Sequence, residues 1–230
     1  NILASAIGGL LWIFLATLMD TESYGQIGYY ISIAAIVGTV AGLGAFNTIT
    51  VFTAKGEKLQ KSLLYLVGTS GIIASVVIFL IFQNIGVSIY VLGYVIFTLI
   101  ISEILGKKLY VKYSKLILIQ RSLMVALSIG LFYVIGVNGV IIGIGISFIP
   151  IILISFKNFN ETEFSWSKLN EKKNFIVKNH MLDISRVLNS QVDKLIIAPI
   201  FGFAILGNYY LGIQIFHLLT LLPSIIFYYT

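Results

Sequence analysis

A chain of 230 residues that is 58% hydrophobic and only 10% charged, with a mean hydropathy of +1.00, is not a soluble globular domain, in which about a quarter of residues are charged. Its apolar stretches are long and lack the alternation of outer-membrane strands. Its net charge of +6 comes from lysines grouped between those stretches, which excludes a nucleic-acid surface and fits a membrane topology signal.

A membrane-crossing helix needs roughly 20 residues, and eight apolar spans answer that length, at 2–19, 24–46, 62–83, 87–105, 114–136, 139–156, 181–201 and 207–230. The fold class expected is therefore an all-α integral membrane bundle. The connections alternate in character. Asp20 to Ser23 is short and acidic, and Asn47 to Lys61 carries Lys55, Lys58 and Lys61. Gln83 to Gly86 has no charge, and Gly106 to Lys115 carries Lys107, Lys108, Lys112 and Lys115. Gly136 to Asn138 is again uncharged, while Lys157 to His180 carries five lysines, and Phe201 to Leu206 has none. Twelve of the fifteen basic residues thus fall in every second loop. The positive-inside rule makes those loops cytoplasmic, and with them the N-terminus. A missed helix would break the alternation, which supports the count of eight. Cysteine is absent, so nothing about redox compartment follows.

The 157–180 stretch has Trp166, Leu169 and Ile176 on one side and lysines on the other. It reads either as a short interfacial helix near anionic lipid or as a plain solvated linker. Glycines spaced by four, Gly38/Gly42 and Gly139/Gly143, allow close helix approach. Pro150, Pro199 and Pro223 fall inside spans and are expected to kink them. Tyr29, Tyr30, Tyr209 and Tyr210 fit an aromatic belt at the outer surface.

The chain also repeats itself. Sliding "LMDTESYGQIGYYISI" (18–33) by 182 residues lays it on "IFGFAILGNYYLGIQI" (200–215), so that Gly25 meets Gly207, and Ile31 and Ile33 meet Ile213 and Ile215. The offset equals six helices and preserves orientation, as parallel repeats in transporters do. Residues 1–156 then form a six-helix lobe, 157–180 a linker, and 181–230 the start of a second lobe. A chain that begins at Asn1 without methionine and stops at Thr230 inside an apolar run is expected to be part of a longer protein with about twelve helices or more.

At this point a family resemblance enters. "SYGQIGYYISIAAIVGTVAGLGAFNTI" (23–49) resembles the start of the polysaccharide-export flippases, with Tyr-Gly after the first helix and an "lGl"-type pattern near the end of the second. "QVDKLIIAPIFGFAILGNYYLGIQI" (191–215) resembles their seventh-to-eighth helix segment, an Asp, an apolar run, then "lG.Y". Their superfamily includes O-antigen and capsule flippases, lipid II flippases, and the multidrug and toxin extrusion carriers. The resemblance implies a two-lobed alternating-access carrier for lipid-linked oligosaccharide in the cytoplasmic membrane, not an enzyme, acting without ATP hydrolysis or cofactor. Membrane lipids and glycan-assembly enzymes are its implied partners, with no nucleic acid among them. Lipid II flippases carry arginines in their first two helices, and this chain has none between Asn1 and Phe46, which argues against lipid II. The extrusion carriers often place a carboxylate in the first helix, and here none precedes Asp20.

Four charges interrupt the seventh span: Asp183, Arg186, Asp193 and Lys194. At 100° per residue, Arg186, Ser190, Asp193 and Lys194 lie roughly 300°, 340°, 280° and 20° from Asp183, all within an arc of about 100°. Counted from residue 181, Asp193 and Lys194 are about 18–20 Å deep. A charge facing lipid there costs roughly 2.5–3.5 kcal/mol, so the stripe must face protein or water. Asp183 and Arg186 can pair at i, i+3, whereas Asp193 and Lys194 point about 100° apart and are expected to find other partners. Arg186, Arg121 or Lys194 contacting a substrate pyrophosphate, with Asp193 positioning the cation, is one reading; a charge network that holds or gates the bundle is the other. Glu103 near the end of the fourth span and Arg121 in the fifth are expected to pair, or Arg121 reaches a cavity phosphate. His217, with Thr220 one turn on, either titrates or serves as a neutral hydrogen-bond partner.

No GxxxxGK[ST] loop is present, and no cluster has metal-ligand spacing. Besides the flippase, an ion-coupled small-molecule exporter and a membrane-embedded envelope-glycan polymerase remain. The short outer loops argue against the polymerase.

Overall fold

The computed structural model describes residues 2–155 and 163–229, with side chains as far as Leu221. Its elements are α1 (Ile2–Leu18), α2 (Thr21–Ala41), α3 (Ala45–Ala54), α4 (Gln60–Phe82), α5 (Ile85–Gly106), α6 (Tyr110–Ile135), α7 (Val137–Ile146), α8 (Ile149–Ser155), α9 (Trp166–Glu171), α10 (Lys173–Phe201) and α11 (Phe203–Tyr229). No strand occurs among the described residues. Six segments are long and apolar enough to cross a membrane: α2, α4, α5, α6, α11, and α7 together with α8. The protein is thus a multi-pass, all-helical membrane protein. The other two apolar spans also fold as helices. At 17 residues α1 is short, and α10 carries the four charges noted above.

The helix α5 is the hub. Val87, Val91, Val95 and Leu99 recur every four residues and are fully buried, the stripe that an α-helix presents to its neighbours. It packs against α2, α3, α4 and α7. By contrast α4 turns Ile72, Ile73, Val76 and Leu80 outward, as a helix facing acyl chains does. Gly139 and Gly143 lie directly on the backbone of α6 at Leu131 and Leu127, so this GxxxG pair acts in packing as its spacing suggests. Of the Gly38 and Gly42 pair, Gly38 packs against Tyr94 and Val95 of α5, while Gly42 faces the ring of Phe46 just beyond its own helix.

Helix ends follow local chemistry. Asp20 caps α2, accepting from the Ser23 backbone N–H at 2.9 Å and the Ser23 hydroxyl at 2.7 Å. These bonds hold its carboxyl below the usual carboxylate range. The cap is therefore intact above that range and is lost as pH falls through the depressed value. Asn84 caps α5 in the same way, through Gly86 and Val87.

Several boundaries differ from the sequence reading. The expected loop 47–61 contains α3, whose Thr48 and Thr50 hydroxyls donate to the carbonyls of Gly44 and Phe46. The expected 139–156 span is broken at Ser147-Phe148, just before Pro150. Proline has no N–H to offer the carbonyl four residues back, and it sits instead in the first turn of α8, where none is needed. Pro199, in contrast, lies within a continuous α10. That helix starts at Lys173, well before residue 181. Its 29 residues span about 43 Å, more than the roughly 30 Å hydrocarbon core.

The extension of α10 is docked, not free. Gly44, at φ +71°, lies against the Ile176 carbonyl and the His180 backbone, leaving no room for a Cβ. Asn47 Nδ2 donates to Asp183 Oδ1 at 3.0 Å. The 157–180 linker is described only from Glu163, so Lys157 lies outside the described residues. Within the remainder Trp166 is exposed but Leu169 is buried, and Ser62 and Ser165 exchange hydrogen bonds. This segment is anchored to α4 and contains the short helix α9. Lys172 bridges Glu171 at 2.8 Å and Glu57 at 3.3 Å. The hydrogen bond to Glu171 raises the lysine and lowers its partner. The link is thus lost only as pH falls through the depressed carboxylate value or rises through the raised ammonium value.

The repeat has a geometric counterpart. Gly25 lies on the Phe203 carbonyl, and Gly207 lies on the Thr21 carbonyl. Thr21 and Phe203 are themselves matched by the 182-residue offset, as are Gly25 and Gly207. Residue i touches the mate of j, and j touches the mate of i, which is the signature of a two-fold relation. Gly28 and Tyr210, also a matched pair, face each other: a Cβ added at Gly28 would stand 3.0 Å from the Tyr210 ring. The start of α2 and the start of α11 therefore cross at a local pseudo-dyad.

Candidate functional site

Where α1, α2, α5, α6, α10 and α11 approach one another, they leave four adjoining hollows. One of about 360 Å³ lies between α1 and α11, against Arg121 of α6, and is lined by Ser5, Gly8, Gln214 and His217 among others. It shares Arg121 and Trp12 with a second, of about 190 Å³, walled by Tyr90, Tyr94, Phe97 and Phe148. A third, of about 330 Å³, shares Tyr210 and Ile31 with the second and Gln214 and His217 with the first, and reaches Asp193 and Lys194. The fourth, of about 310 Å³, shares Ser190 and Gln191 with the third and holds Asp183 and Arg186. Each shares lining residues with the next, so the four hollows form one adjoining group, hereafter the cavity.

Six of the seven sequence candidates meet there: Arg121, Asp183, Arg186, Asp193, Lys194 and His217. The exception is Glu103. Its side chain is 1% exposed and forms an ion pair with Lys107 Nζ at 2.6 Å, one turn away at the end of α5. The expected Glu103–Arg121 pair is therefore corrected: an i, i+4 partner is nearer than one on another helix.

Arg121 has a different environment. Its guanidinium lies over Gly8, at 3.5 Å from where a Cβ would stand. The contact found for its Nη1 is a weak one, to Met124 Sδ at 3.5 Å. Among the described residues no carboxylate pairs with it. Arginine cannot shed its charge, so a half-buried guanidinium in a membrane bundle must be met by water or by an anion entering the cavity.

The charges on α10 are differently arranged. Asp183 Oδ1 meets Arg186 Nη1 at 3.6 Å, and Arg186 is 71% exposed, so its fork is available to the cavity. Asp193 and Lys194 pair with each other, against the expectation from helical angles. Lys194 Nζ donates to Asp193 Oδ1 at 2.9 Å and to the Ser190 carbonyl at 2.6 Å. The long lysine stem folds back toward the N-terminus of the helix, a freedom that a count of 100° per residue ignores. Tyr209 completes the group, its hydroxyl donating to Asp193 Oδ2 at 2.6 Å.

Replacing Lys194 with glutamine leaves Asp193 charged beside a buried amide. The loss of stability should fall below the roughly 3–5 kcal/mol of a fully buried pair, because the Asp193 side chain is 33% exposed. The double variant Asp193→Asn/Lys194→Gln should lose clearly less than the two single losses combined, as thermal unfolding in detergent will read. Simple additivity would show that the pair is uncoupled. Likewise, Asn47→Ala should speed hydrogen exchange over 42–48 and 176–184, because Asp183 Oδ2 already lacks a hydrogen-bond partner and the remaining anchor is removed. Unchanged exchange would deny the Asn47 bond any part in docking α10.

Sequence reading missed most of the wall. Trp12, Tyr24 and Tyr210 form an edge-to-face cluster, Trp12 and Tyr210 at 5.5 Å and 89°. Tyr210 is buried there, not at an interfacial belt, and Tyr209 is held by Asp193. The signal available was Gln214, a polar residue one turn from Tyr210 in an apolar helix.

No protein-family model, curated protein or solved structure matches the chain.

Proposed function

We propose that the protein is a flippase that carries lipid-linked oligosaccharide from the cytoplasmic to the outer leaflet of the cytoplasmic membrane. The observation that carries this reading is Arg121: a permanent cation without a carboxylate partner among the described residues, lining two of the adjoining hollows. A pyrophosphate is the anion that suits it, because the guanidinium fork binds phosphoryl oxygens in pairs. Arg186 supplies a second fork on α10. The aromatic wall of Trp12, Tyr90, Tyr94 and Tyr210 offers faces on which sugar rings can lie. In this reading the N-terminus is cytoplasmic, residues 1–156 form one lobe, α10 and α11 belong to a second, and transport is a rocking of the two about the cavity.

Cysteine substitutions at 186, 190 and 193 test the wet-cavity premise. Each should react with a water-soluble thiol reagent applied to membranes, and lipid-linked oligosaccharide should protect at least position 186. Three unreactive sites would sink the proposal, since a dry stripe transports no anion.

A further inference from the structure

A further hollow, of about 660 Å³, shares no lining residue with the four above and lies along the start of α6. Its lining comes entirely from the stretch 108–119. Leu109, Leu116 and Ile119 form an apolar floor, and Lys108, Lys112 and Lys115 stand around it. Lys112 and Lys115 are one turn apart on α6, and Lys108 is brought beside them by a left-handed backbone, φ +58°. Among the described residues none of the three meets a carboxylate, while Lys107 next to them is paired with Glu103. No acidic residue stands in the first turn of α6. Three ammonium groups therefore repel one another over hydrocarbon, at one end of a helix long and apolar enough to cross a membrane.

A ligand that relieves this must be both anionic and apolar. A soluble phosphate would leave the apolar floor wet, and a zwitterionic lipid brings its own cation into the lysine cluster. We propose that this groove binds one anionic phospholipid of the cytoplasmic leaflet. The headgroup phosphate sits among Lys108, Lys112 and Lys115, and an acyl chain lies along Leu109, Leu116 and Ile119. Basic pockets at the cytoplasmic ends of membrane helices hold anionic headgroups in this way. The site stands independently of any transport activity.

Native mass spectrometry of the full chain in detergent, titrated with phosphatidylglycerol or phosphatidylcholine, tests it. One phosphatidylglycerol should be retained in preference to phosphatidylcholine. Each of K108Q, K112Q and K115Q should weaken that retention about fivefold, and the triple variant should abolish the preference. The triple arginine variant should keep it. K55Q/K58Q/K61Q removes the same charge from another loop and should leave it unchanged. The single variants carry the test if the triple glutamine variant does not fold. Equal retention of the two lipids by the wild type overturns the proposal. So does an equal loss in the 55/58/61 variant, which would mean diffuse charge, or full displacement by inorganic phosphate, which would mean a soluble ligand.

Discussion

Arg121→Ala should abolish the proposed glycan transport while leaving the protein at least as stable as the wild type. Both halves follow from the same observation. The guanidinium makes no ion pair among the described residues, so its removal breaks no salt bridge and relieves an uncompensated charge. Its contribution is reserved for whatever enters the cavity. A charge-assisted hydrogen bond is worth about 1.5–3 kcal/mol, so losing it should weaken substrate binding roughly ten- to a hundredfold. Cells whose only copy is Arg121→Ala should hold lipid-linked precursor in the inner leaflet and show little surface glycan. Arg121→Lys should recover part of the activity, keeping the charge without the fork. Arg186→Ala should act in the same direction but more weakly, because Arg186 is already engaged with Asp183. Normal surface glycan in a stably inserted Arg121→Ala strain would remove the phosphate-contact role.

The largest structural effect should come from the crossing of α2 and α11. A Cβ on Gly25 would run into the Phe203 carbonyl, and one on Gly207 into the Thr21 carbonyl. Backbone cannot step aside as a side chain does, so the helices must part. Gly25→Ala and Gly207→Ala should each cost at least the roughly 1–3 kcal/mol of overpacking. Because the two contacts are reciprocal, the two losses should be similar. Gly212→Ala is the control on the same helix. Nothing lies within 4 Å of its Cβ position, so alanine should stabilise by about 0.4–1 kcal/mol. Melting temperatures in one detergent will separate these signs. Equal shifts at 25, 207 and 212 would show that the crossing does not hold the fold together.

How much of this was legible beforehand depended on the range of each interaction. The spans were legible because apolar runs are local, and so was the arc of charges on α10, because helical geometry alone places them together. The pairing of Asp193 with Lys194 was not, because it rests on a side-chain torsion and on Tyr209 from the next helix. Glu103 to Lys107 stood in plain view at i, i+4 but was passed over for a more distant arginine. The helix α3 was hidden by its shortness: its ten residues, though apolar, are too few to read as a span. Its place is set by packing on α5, where Thr50 also reaches the Ser102 carbonyl. The repeat was visible as letters, but that Gly25 and Gly207 touch is a tertiary fact.

The local dyad also shapes the two flanks of the cavity. The offset that matches Gly25 with Gly207 matches Gly8 with Ser190, Gly9 with Gln191 and Trp12 with Lys194, and all six residues line it. The flanks are unlike in chemistry: bare backbone and indole on one, amide, hydroxyl and ammonium on the other. A molecule with a greasy end and a charged end lying across them has one favoured heading.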